Sequence, residues 1–499
     1  MSRILAALLC WLILSLISIL SCTTMKAPPI DQKQRSAVEL EPCNFPSGQA
    51  DALCGKYPVY ENRAAKSGRM IALNIVVLRA LAAEPKPDAV FFLAGGPGQG
   101  TAFLARSPAS SLLTELRREH DLVFVDLRGT GDSHRLQCAS KIDRSVVQSY
   151  FAEPFDVASV RACREALEQI ADLKHYTTSD ALDDLKEVRA ALGYNKINLY
   201  GVSYGTLIAL QYLRRYPQEL RSVALAGVLT PAAKLPLHFA KAGQQALERL
   251  FEDCAADESC QSAYPDLRTD FARVLAALDN GPITFELVHP VSKTLQTVNL
   301  SRAVFTERLR ALLHSHESAR LIPLMINHAA RGNWTTFGRI VIGLTAPQPF
   351  GIAMGVYYSV TCSESVPTIR AEDIQRESQP TFLGTHRTQR HQQACASWRR
   401  ANVPAEFYQP VHSDVPTLML SGDIDPATPP ELAKQARLSL SNARQIVLRN
   451  TAHNYDFQCA RKMVVEFIAQ ASATELATDC VESLRRPSFL RELPERFTQ

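Results

Sequence analysis

Residues 197 to 206 read INLYGVSYGT, and no other stretch constrains the fold as tightly. The apolar, β-prone run from Ile197 to Tyr200 leads into Ser203, and LIALQYLRRY beyond it is helical in character. Ser203 therefore sits on a sharp strand-to-helix turn, with Gly201 two residues before it and Gly205 two residues after. In so tight a turn a side chain at either flanking position clashes, and the serine hydroxyl stands proud of the sheet's carboxyl edge. The helix start contributes twice. The Tyr204 N–H points at a reacting carbonyl, and the helix N-terminus favours developing negative charge. The bare Gly-x-Ser-x-Gly pattern is common in turns; the strand before it and the helix after it make it informative.

The surroundings supply a matching frame. AVFFLAGGPGQG (from Ala89) and DLVFVDLRGTGDS (from Asp121) are apolar strands running into glycine-rich turns. SDALDDLKEVRAALG places Ala181, Leu182, Leu185, Val188 and Leu192 on one helical face, with Ser179 or Asp180 to cap its start and Gly193 to end it. RSVALAG, VPTLMLSGDIDPATPP and RQIVLRNTAHN continue the strand pattern. Strands alternating with helices predict a mostly parallel sheet covered by helices on both faces. Between about Pro231 and Ala401 helical segments such as HFAKAGQQALERLF and SRAVFTERLRALL dominate, which reads as a helical insertion forming a lid.

The N-terminus reads as a targeting segment. Arg3 precedes an apolar stretch from Ile4 to Leu20, the length of a signal-peptide core and marginal for crossing a bilayer. ISILSC resembles a bacterial lipobox, which makes Cys22 the expected lipidated first mature residue; Thr23, not an aspartate, points by the same resemblance to the outer membrane. The polar, proline-containing stretch after Cys22 suits a tether. The expected divisions are a leader at 1–21, a tether at 22–40, core at 41–230, lid at 231–405 and core again at 406–499. Of 12 cysteines, Cys10 lies in the leader and Cys22 is the expected lipidation site, leaving ten. These fall as neighbours along the chain, and an oxidising compartment would allow five local disulfides, although sequence does not fix the connectivity. No CxxC or HExxH motif calls for a metal. A net charge of +4 without a long basic run gives no support for nucleic-acid binding.

A serine hydroxyl needs a base, and the base needs an orienting carboxylate. GDIDPATPP offers Asp423 and Asp425 after one strand, and NTAHN offers His453 after the next. Here the chain resembles the tripeptidyl-aminopeptidase-like branch of the proline iminopeptidase family of α/β-hydrolases. The motifs that carry the resemblance are LAGGPGQG, DLRGTGDS, YTTSDALDDLKEVRAALGYNKINLYGVSYGT, GDIDPATPP, and AHN followed by Cys459. The resemblance implies an α/β-hydrolase fold, with Ser203 as nucleophile, Asp425 as acid and His453 as base. Asp425 is preferred over Asp423 because the family places the acid before x-x-Thr-Pro. The GGPG turn resembles the family's His-Gly-Gly-Pro-Gly loop, with Ala94 where histidine often stands, and implies that the Gly96 N–H joins that of Tyr204 as an oxyanion hole. Asp126 and Arg128 are read as supports for the loop.

Substrate choice is expected to lie in the lid, where Trp334, Phe350, Tyr357 and Tyr358 are candidate pocket residues. Glu364 resembles the family's Cys-x-acid segment, beside a Cys362 to Cys395 staple. It is the candidate partner for the free α-amino group of a peptide. The expected activity is a serine exopeptidase releasing residues or short peptides from free N-termini, with no cofactor. A carboxylesterase and a non-catalytic binding protein are the alternatives. Oligomeric state is not legible.

Overall fold

A computed structural model describes residues 38–43, 45, 52–106, 111–140, 142–344 and 351–497. The leader, Cys22 and most of the tether lie outside the described residues, as does Phe350. Among the described residues, no helix is long and apolar enough to cross a membrane.

The strands are β1 (Glu41–Cys43), β2 (Ala52–Tyr60), β3 (Met70–Leu78), β4 (Val90–Leu93), β5 (Leu122–Val125), β6 (Ile197–Val202), β7 (Leu220–Ala226), β8 (Ile283–Val288), β9 (Leu295–Leu300), β10 (Thr417–Gly422) and β11 (Ala443–Leu448). Nine of them form one sheet in the order β1-β2-β3-β5-β4-β6-β7-β10-β11. From β5 to β11 the neighbours run parallel, whereas β1, β2, β3 and β5 pair antiparallel. The parallel strands are covered on both faces, so VFFL of β4 and LVFV of β5 are buried at every position. One apolar cluster gathers Leu182, Leu185, Leu207 and Leu210 with inward residues of the sheet. The opposite face packs Phe92 on Phe124, ring centroids 4.8 Å apart, with Met463 and Phe467 in the same cluster.

The chain passes from β4 to β5 on one side, then returns through β6 to the other. Such a reversal opens a crevice at the carboxyl ends of the strands, where ligands bind in open α/β sheets. Leu93 of β4 pairs with Gly201 of β6, so the glycine-rich turn and the Ser203 turn emerge side by side. The helix Tyr204–Arg215 runs beneath them and is buried at every residue from Tyr204 to Leu213. The helix Thr178–Ala191 is capped by Thr177, whose hydroxyl accepts from the Asp180 N–H at 3.2 Å, rather than by Ser179 or Asp180. Gly193, at φ 81°, follows its end as expected.

Between β7 and β10 the chain is mainly helical, with one antiparallel hairpin, β8–β9, that helical periodicity did not reveal. This part has its own core, including Leu247, Leu250, Phe305, Met325 and Phe337. Tyr150 and Phe151 from before the insertion, and Phe489 and Phe497 from the C-terminal region, pack into that core, not against the sheet. Conversely, Ala353, Val356, Val360 and Trp398 from the insertion pack with the sheet's core.

Five disulfides join the neighbouring cysteines: Cys43–Cys54, Cys138–Cys163, Cys254–Cys260, Cys362–Cys395 and Cys459–Cys480. Cys362, His391 and Cys395 form a cluster of potential metal-ligand atoms, but its two sulfurs are bonded to each other.

Candidate active site

Ser203 has φ 57° and ψ −123°, a region that costs a non-glycine residue about 1–3 kcal/mol. The neighbourhood holds it there. Its N–H donates to the Ala226 carbonyl at 2.9 Å, and its carbonyl accepts from the Thr206 N–H and hydroxyl at 2.9 and 2.6 Å. The flanking glycines have steric reasons. A Cβ on Gly201 would lie 2.7 Å from the Gly205 carbonyl oxygen, and one on Gly205 would lie 2.1 Å from that of Leu93. Close packing of β6, the turn and the end of β4 thus excludes side chains at both positions.

Beside this turn lies the GGPG loop. A Cβ on Gly95 would come within 3.0 Å of Ser203 Cβ, so the loop backs directly onto the serine. Gly96 has φ 112°. Tyr204 is the first helical residue, and its N–H has no carbonyl one turn back to satisfy it. Asp126 braces the loop. Its Oδ1 accepts from the Thr101 and Ala102 N–H groups at 2.7 and 3.0 Å, and its Oδ2 from Asn74 Nδ2 and the Asp132 N–H at 2.9 and 3.0 Å. Buried Arg128 forks onto Asp184 at 2.7 and 2.8 Å and donates to the Glu61 and His175 carbonyls. Both residues hold loops in place and neither reaches the serine's partners.

Asp425 and His453 meet at 2.7 Å, Oδ2 to Nδ1. Asp425 is buried, and its carboxylate meets donors only. Oδ1 accepts from the Ala427 and Thr428 N–H groups, each at 2.8 Å; Oδ2 also accepts from the Thr428 hydroxyl at 2.8 Å and the Tyr455 phenol at 2.7 Å. Burial pushes this carboxyl up. The opposing pull of His453 and of these hydrogen bonds wins and holds it well below the usual carboxylate range. Asp425 therefore stays ionised and fixes the His453 tautomer with the proton on Nδ1, leaving Nε2 free to accept one. Asp423 instead accepts from the Thr451 N–H at 3.1 Å. The His453 ring also lies against Gly227, where a Cβ would come within 3.2 Å of Cε1, next to the Ala226 carbonyl that anchors Ser203.

Glu364, the expected amine partner, lies where the insertion meets the core. It sits in the π-helical turn Thr361–Ser365, is buried, and has both oxygens engaged by Thr178. Through these bonds Glu364 ties the insertion to the core. Of the expected pocket aromatics, Trp334 packs against Phe305 in the lid core, and Tyr357 stacks with Phe155 and His391. Tyr358 does line a cavity of about 820 Å³ between the insertion and residues 137–166, together with Phe155, Met354, Glu153, Glu307 and Arg310. Ser203, Asp425, His453 and the GGPG loop are not among the residues that line this cavity; Ala353, just before Met354, donates its N–H to the Gly98 carbonyl at 2.9 Å.

Sequence reasoning missed Thr428, Tyr455 and His314. Thr428 stood in the quoted x-x-Thr-Pro motif, and Tyr455 follows His453 by two residues; nothing marked His314.

The α/β hydrolase fold family model matches residues 88–455. The chain belongs to that family. Among curated relatives, it is 28% identical over 253 residues to serine protease Hip1 of Mycobacterium tuberculosis, covering 47% of this chain and 48% of that protein. It is 28% identical over 214 residues to tripeptidyl aminopeptidase of Streptomyces lividans, covering 40% and 39%. It is 25% identical over 145 residues to proline iminopeptidase of Neisseria gonorrhoeae, covering 29% and 34%. The matches thus span no more than about half the length of these α/β-hydrolase relatives.

Proposed function

We propose that this α/β-hydrolase is a serine peptidase that removes residues or short peptides from free N-termini. The observation that carries the reading is the 2.7 Å Asp425–His453 pair beside a serine at φ 57°. Relatives named as a protease, a tripeptidyl aminopeptidase and a proline iminopeptidase support the substrate class.

In the proposed reaction Ser203 Oγ attacks the scissile carbonyl carbon while His453 Nε2 takes its proton. The oxyanion is met by the N–H groups of Gly96 and Tyr204 at the start of the buried helix. His453 then gives its proton to the leaving amine, and the C–N bond breaks. Water repeats the sequence on the ester, releasing the acyl product and restoring the serine. Every proton and bond is accounted for by the chain's own groups and water.

The five disulfides support export to an oxidising compartment. The proposed location is a bacterial envelope, with a lipid anchor on Cys22.

A parallel panel of peptidyl-arylamides, their N-acylated counterparts and small aryl esters tests the activity. The reading predicts that free-amine arylamides have the highest kcat/KM. Preference for blocked peptides would overturn the exopeptidase assignment, and turnover of esters alone would make the chain a carboxylesterase.

A further inference from the structure

The insertion reaches the candidate base itself. His314, just beyond the helix Arg302–Leu312, accepts on its carbonyl a hydrogen bond from the His453 N–H at 3.0 Å. Its ring meets the His453 ring edge-on, centroids 5.6 Å apart and planes at 85°. Both ring nitrogens of His314 are engaged by Arg310, one turn back. Nδ1–H donates to the Arg310 carbonyl at 3.1 Å, and Arg310 Nη1 donates to Nε2 at 3.3 Å. A guanidinium can only donate, so Nε2 must accept, and the ring is neutral.

We infer that His314 is a positioning residue for His453, gripping its main chain and walling its ring, and that Arg310 keeps His314 uncharged. The inference rests on the triad reading of Ser203, Asp425 and His453.

Asp425 fixes only the Nδ1 side of the His453 ring. Rotation that keeps this bond can still carry Nε2 away from the serine, and a misplacement of about 1 Å at a reacting group costs up to about 100-fold in rate. The His314 ring, set nearly perpendicular against that of His453, opposes that rotation. Charge matters as well. His453 becomes a cation in mid-reaction, and a second cation at 5.6 Å would oppose it. The groups facing His314 are Arg310 from its own helix, with Glu307 and Arg387 behind it, and His453 and Asp425 from the loops after β11 and β10. Burial, Arg310 and His453 together push the His314 imidazole down to about 3, against the smaller upward pull of Asp425. With Nε2 accepting from Arg310, the ring stays neutral while His453 takes up and returns its proton. Glu307 and Arg310 also line the cavity, so the helix that walls the cavity ends on the candidate base.

The test compares the full-length parent with H314A, H314L, H314F and S203A on one peptidyl-arylamide. H314A and H314L should lose about 10- to 100-fold in kcat with KM within about threefold, because binding is intact and the base is loose. H314F restores a neutral ring edge and should recover most of the lost kcat. If H314A does not fold, the H314L and H314F pair decides. Parental kcat in folded H314L, a loss confined to KM, or an H314F no better than H314L would overturn the inference. S203A separates the two levels. Its turnover at parental rate would remove the triad reading itself, whereas an inactive S203A beside a fully active H314L would remove only the role of His314.

Discussion

Glu364 holds Thr178 with both carboxylate oxygens: Oε1 accepts the Thr178 N–H and Oε2 its hydroxyl, each at 2.7 Å. The same hydroxyl lies 2.7 Å from the Tyr204 phenol, so the lid's π-helical turn is linked to the helix that carries the serine turn. Burial pushes the Glu364 carboxyl up to about 7, only partly offset by the Thr178 hydrogen bonds. Between its unfolded value near 4.5 and about 7 the folded state binds the extra proton. This contribution to stability is therefore fully present below about pH 4.5 and is lost as pH rises through 7. Glu364→Gln mimics the neutral acid. Its unfolding free energy should match the parent's within about 1 kcal/mol near pH 4.5 and exceed it by about 1–3 kcal/mol at pH 8. Denaturant titrations across that range check this, and parallel curves would contradict it.

Asp425 and Asp423 should separate cleanly. Asp425→Asn removes the charge that fixes the His453 tautomer and is expected to lower kcat by about 10³- to 10⁴-fold. Asp423 meets the Thr451 main chain, not the base, so Asp423→Asn should stay within about tenfold of the parent. Kinetics on a single ester or arylamide substrate decide, and the reverse order would move the acid to Asp423.

The Cys362–Cys395 disulfide closes a loop with a sequence separation of 33 and flanks the turn that carries Glu364. Replacing both cysteines by serine should cost about 2–4 kcal/mol of stability. Unfolding curves of the double variant measure the loss, and a change under about 0.5 kcal/mol would show that packing alone fixes this segment.

Cys22→Ser should release the mature protein from the envelope fraction, and mass spectrometry of the parent should find lipid on Cys22 with no peptide upstream. A soluble parent beginning elsewhere would refute the anchor.

Much of the core was legible because buried parallel strands leave continuous apolar runs. VFFL, LVFV and the stretch around Leu199 could hardly be anything else, and each precedes a glycine-rich turn. The antiparallel edge β1–β3 escaped notice, since reading for strand–helix alternation begins only at Ala89. The Ser203, Asp425 and His453 positions stood out because each follows a strand end. The anchorage of Glu364 was not legible, for a physical reason. A lone acid in a loop-like segment gives no sign of a distant partner, and only the fold shows Thr178, 186 residues away, donating to both its oxygens. His314 was invisible for the same reason. Its significance comes from a lid helix ending against a loop of the core, a contact between residues 139 positions apart that no local pattern encodes.

The most direct measurement is the site of covalent capture. The parent, incubated with an arylphosphonate, should gain one adduct per chain, and peptide mapping should place it on Ser203. S203A should take up none and should turn over its best substrate about 10⁵- to 10⁶-fold more slowly while remaining folded. An adduct on any other residue, or folded S203A working within about tenfold of the parent, would contradict the account.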